Sequence, residues 1–367
     1  IAVCDVDTTR RVHGQGIVDK KYAESGGVGS PGGGCAAFVD HRELLAMAGL
    51  DAVVISTPDH WHAHQVLDAA SARKDIYCEK PLTLTIHEAT RMIESVRTHN
   101  RVFQTGSQQR SEYGGLFRRA CEYIRAGRLG DVLTAHVGVG VSSRFCDLPE
   151  EDMEPGLEWD RWLGPAPERP YNAILSPRGV HGHYPKWREY REYSGGLLTD
   201  MGAHHFDIVQ WALRADASGP LGVVPPAYEE AMHGARLLYK DGVEVIHGGP
   251  TGATFIGTKG MIAVDRDRIS SIPESILKEP LTDEDERLPA PANHLQDWVD
   301  CIRSRERCIC DVEVGARSVT ACHLLNLAYW HHRPLQWDPG VWQFRGDEEA
   351  NGWLDYQRRA GYELPEA

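Results

Sequence analysis

The chain has 367 residues, of which 41% are hydrophobic, and 39 basic against 53 acidic residues give a formal net charge of -14. This length favours two domains, and the acidic charge argues against nucleic acid or an anionic membrane as a partner. No run of 18 apolar residues occurs, so the sequence predicts no membrane-spanning helix. The nine cysteines form neither a disulfide framework nor a CxxC zinc pattern, which indicates reduced thiols.

The first predicted element is an apolar strand over residues 1–7 that ends in acidic residues. In dinucleotide-binding folds, an acid closing the second strand holds the adenosine ribose hydroxyls, although strands ending in aspartate are common. The glycine-rich loop expected before such a strand is missing, so we interpret the chain as an N-terminally truncated sequence. A GxGxxG match at residues 27–32 follows a polar, helix-like segment rather than a strand, and Pro31 interrupts it. We therefore predict a flexible loop over residues 25–34 and no phosphate site there.

A strand–helix–strand unit is predicted over residues 51–81. The runs at 52–56 and 75–78 are typical of short buried parallel strands, and apolar residues at helical spacing connect them at 62–73. Ligands of parallel sheets bind at the carboxyl ends of the strands. The polar clusters at these two ends are Thr57-Pro58-Asp59-His60 and Glu79-Lys80-Pro81.

The alternation of strands and helices continues to about residue 111 and then stops. Before that point we predict helices at 40–50 and 83–100, the second capped by Thr85 or Thr83, and a strand at 101–106. After it we predict helices at 112–126, 195–213, 294–305 and 313–331, strands at 132–141 and within 229–264, and loops at 144–177. These elements predict an α/β protein: an N-terminal Rossmann-like parallel sheet in residues 1–111, a C-terminal α+β domain with a large, mostly antiparallel open sheet in 112–345, and a helical tail in 346–367.

A candidate proton-transfer pair lies in the second predicted domain. Asp200 and His204 are four residues apart in a predicted helix and therefore share one face of it, with Asp207 nearby. A carboxylate beside a histidine fixes its tautomer and raises its basicity, which suits a general base. From the spacing alone, an ordinary surface pair is the simpler interpretation. A lone lysine is also usually solvated, but Lys80 stands at the carboxyl end of a predicted strand.

Histidine clusters raise the question of a metal site. They occur at His60, His62 and His64, and again at His181, His183, His204 and His205. Alternating histidines on a helix point in different directions, and no carboxylate or thiol joins them at a known zinc spacing, so we predict no metal. The aromatic residues between 159 and 190 fit either a core or a platform for sugar rings.

Five separated motifs carry a resemblance to a known family. They are VVISTPDHWHAHQVLDAASARKDIYCEKPLTLT, RVFQTGSQQRS, WDRWLGPAPERPYN, YSGGLLTDMGAHHFDIVQWAL and WDPGVWQFRGDEEAN. In this order they resemble the Gfo/Idh/MocA oxidoreductases, and most of all a branch abundant in Planctomycetes and Bacteroidetes. The resemblance implies an N-terminal Rossmann domain and a C-terminal α/β domain built on an open sheet that is commonly used for oligomerisation.

The resemblance also implies site residues. Its EKP lysine matches Lys80, and its D-x-x-x-H pair matches Asp200 and His204, which gives three implied catalytic residues. Contacts to NAD, with NADP also possible, are implied at Asp5, Thr57, Pro58, His60, Glu79, Lys80, Gln108, Trp162 and Arg169. The family's first strand and glycine-rich loop are absent from this sequence, which predicts a missing central strand and a missing pyrophosphate cradle.

The leading hypothesis is an NAD(P)-dependent dehydrogenase that transfers hydride between a sugar or polyol secondary hydroxyl and nicotinamide. A first alternative is an NAD-dependent glycosidase that oxidises its sugar transiently and eliminates the glycoside. A second is a non-catalytic, sugar-sensing regulator of the same fold. We expect a small carbohydrate or polyol ligand, a homodimer or homotetramer formed through the C-terminal sheet, and a cytoplasmic protein, or a periplasmic one if an upstream twin-arginine leader exists.

Overall fold

The N-terminal part of the protein alternates short strands with helices. A computed structural model describes residues 1–26 and 34–366, so the GxGxxG match at residues 27–32 lies outside the described residues. The strands are β1 (Ala2–Cys4), β2 (Ala36–Phe38), β3 (Ala52–Ile55), β4 (Asp75–Cys78) and β5 (Phe103–Thr105). The helices are α1 (Thr8–Glu24), α2 (His41–Leu45), α3 (Asp59–Ser71), α4 (Ile86–Thr98) and α5 (Leu116–Arg125), with 3₁₀ turns at Gln108–Arg110 and Tyr113–Gly115.

These five strands are parallel and belong to two separate sheets. One sheet pairs β1 with β2, and the other has the order β3-β4-β5. The predicted βαβ unit is therefore present, with α3 crossing from β3 to β4. Because β3, β4 and β5 run in one direction, the polar segments that follow them meet at one edge of the sheet.

Local sequence explains where α4 begins. Thr85 Oγ1 accepts a hydrogen bond from the backbone N–H of Glu88 at 3.2 Å, and Glu88 Oε2 accepts one from the N–H of Thr85 at 3.2 Å. This reciprocal capping box satisfies two N–H groups that the helix leaves without an internal partner. Of the two predicted caps, Thr85 is thus the one used, while Thr83 Oγ1 donates to the Thr85 carbonyl instead.

The second part of the chain is built around one large sheet. Its strands are β6 (Val132–Gly138), β7 (Gly222–Val224), β8 (Arg236–Leu238), β9 (Glu244–Gly257), β10 (Gly260–Val264), β11 (Ile269–Ile272), β12 (Leu335–Asp338) and β13 (Gln343–Phe344). The helices are α6 (Trp159–Leu163), α7 (Leu197–Asp200), α8 (Gly202–Ala212), α9 (Ser275–Lys278), α10 (His294–Ser304), α11 (Val312–His331) and α12 (Glu348–Asn351). Shorter 3₁₀ turns occur at Lys186–Glu189, Lys240–Gly242 and Gly352–Leu354.

The eight strands follow the order β11-β10-β9-β8-β7-β12-β13, and β6 pairs with β9 beside this path. Every pairing in the sheet is antiparallel. The predicted fold class, a Rossmann-like parallel unit followed by a large antiparallel sheet, is therefore confirmed. In the part of the chain that the structure describes, no helix is both long and apolar enough to cross a membrane.

Helix α11 contributes to two hydrophobic cores. Near its start, Val312, Ala316 and Val319 pack in the core of the β3-β4-β5 sheet. Further along, Leu324 and Leu325 pack in the core beneath the large antiparallel sheet. The N-terminal core is therefore completed by residues that lie about 200 positions later in the chain.

Three predicted helices differ from what the structure shows. The helix predicted at 195–213 is divided into α7 and α8, and α2 is much shorter than the predicted 40–50. The tail at 346–367 is not helical throughout. Helix there is limited to α12 and the turn Gly352–Leu354, and residues 355–366 extend over the N-terminal part, where Arg358 donates to the buried Glu88 carboxylate at 2.9 Å.

Candidate functional site

Two of the polar segments that follow the parallel strands contact each other directly. Gln108, after β5, donates from Nε2 to the Glu79 carboxylate at 3.2 Å and to the Tyr77 hydroxyl at 3.0 Å. Burial raises the pKa of Glu79, and the adjacent Lys80 ammonium opposes that rise. A Cβ placed on Gly106 would lie 2.6 Å from Glu79 Oε2, so a glycine is needed for this close approach.

Lys80 and Asp200 form the central ion pair of the site. Lys80 Nζ donates to Asp200 Oδ1 at 2.7 Å and to the Asp200 backbone carbonyl at 2.9 Å. Both side chains are only 13–15% exposed, so water screens their attraction weakly. The structure thus brings together the strand-end lysine and the α7 carboxylate, which are 120 residues apart in the chain.

His204 lies one turn beyond Asp200, near the start of α8. The residue is 4% exposed, and its Nδ1 has no hydrogen-bond partner among the residues the structure describes. Burial, and then the positive charge of Lys80, hold the pKa of His204 well below its ordinary value of 6.5. At neutral pH the ring is therefore uncharged and one of its nitrogens carries a lone pair, which a proton acceptor requires.

The histidines of α3 have structural contacts. His60, expected to contact the cofactor, is fully buried, and its Nε2 lies 3.0 Å from the Trp162 carbonyl oxygen. Burial lowers its pKa to about 3. His62 lies between the carbonyl oxygens of Thr57 and Pro81, at 2.9 Å from each, and so joins the segments after β3 and β4. His60 therefore supports the site from the core rather than facing a cavity.

A cavity of about 910 Å³ separates the two parallel sheets. Residues 1–6 of β1 and its flanks line one side of it, and residues 51–58 around β3 line the other. Four of the predicted cofactor residues line this cavity: Asp5, Thr57, Pro58 and Trp162. Arg169 does not, because its guanidinium donates to the Leu148 carbonyl at 2.5 Å. Glu79, Lys80 and Gln108 belong instead to the neighbouring strand-end cluster.

Sequence reasoning missed the residue that links the cavity to the ion pair. Arg188 lines the cavity, and its Nε lies 3.3 Å from the same Asp200 oxygen that Lys80 contacts. Its guanidinium also lies over the ring of Trp187, 4.2 Å from the centroid. No periodicity or motif distinguishes Arg188 from the other arginines of its loop, so the sequence offered no signal for it.

A second unforeseen contact involves Asp59, which stood in a predicted polar cluster without a role. Asp59 is 2% exposed and accepts a hydrogen bond from the Ser194 hydroxyl at 2.6 Å. Burial raises its pKa to about 7, although the Ser194 hydrogen bond opposes the shift. The contact ties the start of α3 to the segment that leads into α7, and so helps to fix Asp200 relative to the parallel strands.

A parallel strand–helix unit with polar strand ends, followed by a large antiparallel sheet and by helices α7 and α8 that supply a carboxylate and a histidine, is typical of two-domain, dinucleotide-dependent oxidoreductases. Two family profiles match the chain. One is the oxidoreductase family's NAD-binding Rossmann fold, over residues 7–107, and the other is its C-terminal alpha/beta domain, over residues 140–364. The chain belongs to the Gfo/Idh/MocA oxidoreductase family, and the match to that family's NAD-binding fold supports NAD as the predicted cofactor.

Curated relatives match parts of the chain. It is 23% identical to the uncharacterized oxidoreductase YrbE of Bacillus subtilis over 249 residues, which are 64% of this chain and 60% of that protein. It is 25% identical to 1,5-anhydro-D-fructose reductase of Ensifer adhaerens, over 61% of this chain and 51% of the reductase. It is 30% identical to inositol 2-dehydrogenase of Acidothermus cellulolyticus, over 38% and 42% respectively. The chain thus spans less than two thirds of the length of these relatives.

Solved structures share the fold along most of the chain. The WlbA dehydrogenase from Bordetella pertussis, in complex with NADH and UDP-GlcNAcA, aligns with a TM-score of 0.56 and 17% identity, covering 91% of this chain and 88% of that one. The aldose-aldose oxidoreductase from Caulobacter crescentus, complexed with glycerol, aligns with a TM-score of 0.58 and 19% identity, covering 86% and 88%. Both similarities concern the fold.

Proposed function

We propose that the protein is an NAD-dependent dehydrogenase that oxidises a secondary hydroxyl of a sugar or polyol. The observation that supports this most directly is the 2.7 Å contact between Lys80 Nζ and Asp200 Oδ1, with the neutral His204 one helical turn away. The named functions of several relatives, such as inositol 2-dehydrogenase, support the substrate class.

The chemistry assigned to each residue follows from its charge state. His204 takes the proton of the substrate hydroxyl because its ring is uncharged at neutral pH. Lys80 donates a hydrogen bond to the same oxygen and stabilises the negative charge that develops there. Asp200 holds the Lys80 ammonium in place, and Arg188 holds the other side of Asp200. When bound, NAD would accept the hydride that leaves the carbon bearing this hydroxyl.

The test is a panel of inositols, aldoses and uronic acids assayed for NADH formation by the complete product of the gene. We expect at least one of these compounds to yield one NADH for each molecule oxidised. Release of sugar from aryl glycosides that requires NAD but yields no net NADH would favour the redox-cycling glycosidase. Ligand binding without either reaction would favour the regulator.

We also propose that one more parallel strand lies between β1 and β3 in the form that binds the cofactor. The strands occur in the order β2-β1, then the cavity, then β3-β4-β5, which is the six-strand dinucleotide-binding order with its first strand left out. Val54 of β3 is 61% exposed, although strands of parallel sheets are normally covered. Helix α1 has no buried residue, and Val12 and Ile17 are each more than half exposed.

Supplying that strand is expected to create NAD binding. We compare the 367-residue chain with the complete product of its gene, including any residues encoded upstream, using thermal unfolding with and without NAD. A ligand that binds only the folded state raises its stability, so the longer chain should show an NAD-dependent rise in Tm. The shorter chain should show little or none, since the residues that the structure describes do not include the proposed strand or the backbone N–H groups after it that would cradle a pyrophosphate. An equal rise in both chains would contradict the proposal.

NAD is expected to bind at least about ten times more tightly than NADP to the complete product of the gene. Asp5 lines the cavity at the end of β1, and a carboxylate there accepts ribose hydroxyls but repels a 2′-phosphate. Calorimetric titration of both cofactors measures the ratio of dissociation constants. The Asp5→Asn variant is the matched comparison, because it keeps the shape and removes the charge, and should reduce the ratio. An unchanged ratio in this variant would show that Asp5 does not determine the preference for NAD over NADP.

A further inference from the structure

A carboxylate and two thiols form a cluster away from the proposed active site. One ligand atom from each of Asp297, Cys301 and Cys308 lies within 4.8 Å of the other two. The cluster lies beside β4 and β5, in a small core where the two cysteines pack with Tyr77 and Trp298. None of its members contacts the Lys80–Asp200 pair.

The fold brings these three residues together by reversing the chain after α10. Asp297 and Cys301 are one turn apart and share a face of this helix. The helix ends at Ser304, and the residue that caps it, Arg305, has a left-handed φ of 64°. The Arg305 guanidinium is held by the Asp75 carboxylate at 2.6 Å. The chain then turns back along the helix and places Cys308 against Cys301.

Hydrogen bonds orient the carboxylate and the returning loop. Asp297 Oδ2 accepts from the Gln104 side-chain amide at 3.1 Å and from the Ile309 backbone N–H at 3.0 Å. The side-chain oxygen of Gln104, Oε1, in turn accepts a hydrogen bond from the Cys310 backbone N–H at 3.0 Å. The contacts to Asp297 use Oδ2, and no described residue forms a hydrogen bond to Oδ1, so that oxygen can act as a ligand. Such outer partners fix the direction of a metal ligand and are a regular part of metal sites.

The two thiols need a positive charge to ionise where they are. Cys301 is 8% exposed and Cys308 is 5% exposed. A divalent cation among the three groups would supply that charge, because a coordinated thiol loses its proton to the metal.

We propose that Asp297, Cys301 and Cys308 bind one Zn²⁺ ion. Two thiolates and a carboxylate suit a borderline-soft cation that accepts four ligands, and zinc meets both conditions. Each cysteine releases one proton on binding, and water completes the fourth position. The ion joins α10 to the loop that supports the end of β5.

The site has no recognisable zinc motif. Its D-x₃-C-x₆-C spacing is neither a CxxC pair nor a histidine pattern, and the prediction of no metal rested on the histidine clusters. Cys310, which is closer to Cys308 in sequence than Cys301 is, lies outside the cluster and directs its thiol to the Ser107 carbonyl at 3.3 Å. The helix reversal, rather than the spacing, assembles the three ligands.

Zinc competition against a chromophoric chelator tests the proposal on chelator-treated, reduced protein. The expected result is one Zn²⁺ per chain, with two thiols protected from a thiol reagent and with a higher Tm than the metal-free protein. Cobalt(II) in place of zinc should give thiolate-to-metal charge-transfer absorption. Binding of less than one ion per chain, or a disulfide between Cys301 and Cys308 in place of metal binding, would overturn the proposal.

Three variants separate metal binding from folding. Cys308→Ser should weaken zinc affinity about 100-fold or more and abolish the cobalt band. Asp297→Asn retains acceptors for Gln104 and Ile309 and should weaken the affinity at least about tenfold. Cys310→Ser is the matched control, a buried neighbouring thiol whose loss should leave the affinity unchanged. If Asp297→Asn and Cys308→Ser bind zinc as the parent protein does, the assigned ligands are wrong.

Discussion

Replacing His204 by alanine is expected to lower turnover about 10²- to 10⁴-fold, because that is the contribution of a positioned proton-transfer group. The affinity for NAD should stay nearly constant, since the imidazole acts on the substrate hydroxyl and not on the dinucleotide. His204 is suited to this role because burial and the Lys80 charge keep its ring uncharged at neutral pH. Steady-state kinetics on the best substrate of the panel, together with NAD titration, measure both quantities.

The neighbouring His205 provides the control for the His204 variant. His205 is equally buried, at 1% exposure, and burial likewise lowers its pKa, to about 4. Its Nδ1 lies 3.3 Å from the Gln109 side-chain amide, and Lys80 is not among the charges that act on it. His205→Ala should therefore change turnover less than tenfold. Equal losses in the two variants would indicate damage to α8 rather than loss of a proton acceptor.

Replacing Arg110 by methionine is expected to lower the free energy of unfolding by about 3–5 kcal/mol. Arg110 is 2% exposed and makes two 2.8 Å contacts to the Asp207 carboxylate, with Asp216 bound on its other side. Asp207 is fully buried, and burial already raises its pKa against the opposing Arg110 charge. Without Arg110, that carboxylate would stay buried without a counter-charge. Denaturant unfolding followed by tryptophan fluorescence measures the loss.

Two further variants test this cause. Arg345 forms an ion pair with Asp338 at 3.2 Å, but its side chain is 56% exposed, so Arg345→Met should cost no more than about 1 kcal/mol. The double variant Arg110→Met with Asp207→Leu removes both buried charges and should recover much of the stability lost by Arg110→Met alone. A double variant as unstable as the single one would show that packing, and not the buried charge, accounts for the loss.

Helices and strands whose limits depend on residues close by in the chain could be predicted from the sequence. The strand at 75–78 and helices α10 and α11 lie within a residue of their predicted limits, because apolar spacing and end signals determine them locally. Strand β2 was missed, since three residues are too few to show an alternating pattern. The break between α7 and α8 was also missed, as continuous apolar periodicity hides it.

The site was predictable only in part, for a different reason. The contact between Lys80 and Asp200 spans 120 residues, so no local pattern could show it, and only the family resemblance paired them. His60 was expected at the cofactor because the family resemblance implied it. Helix α3, however, is buried on nearly every side, with ten of its 13 residues enclosed, so even its polar side chains point into protein. Asp207, noted near His204 in the sequence, pairs with Arg110 instead.

Helix α11 has a consequence for how this protein can be recombined with its relatives. Its first turns complete the core of the nucleotide-binding half, while its last turns belong to the other core. A chimera that exchanges residues 1–111 for those of a relative would set a foreign sheet against Val312, Ala316 and Val319. The core of the N-terminal half is therefore built from two separate segments of the chain. A chimera must exchange residues 312–319 together with the N-terminal segment.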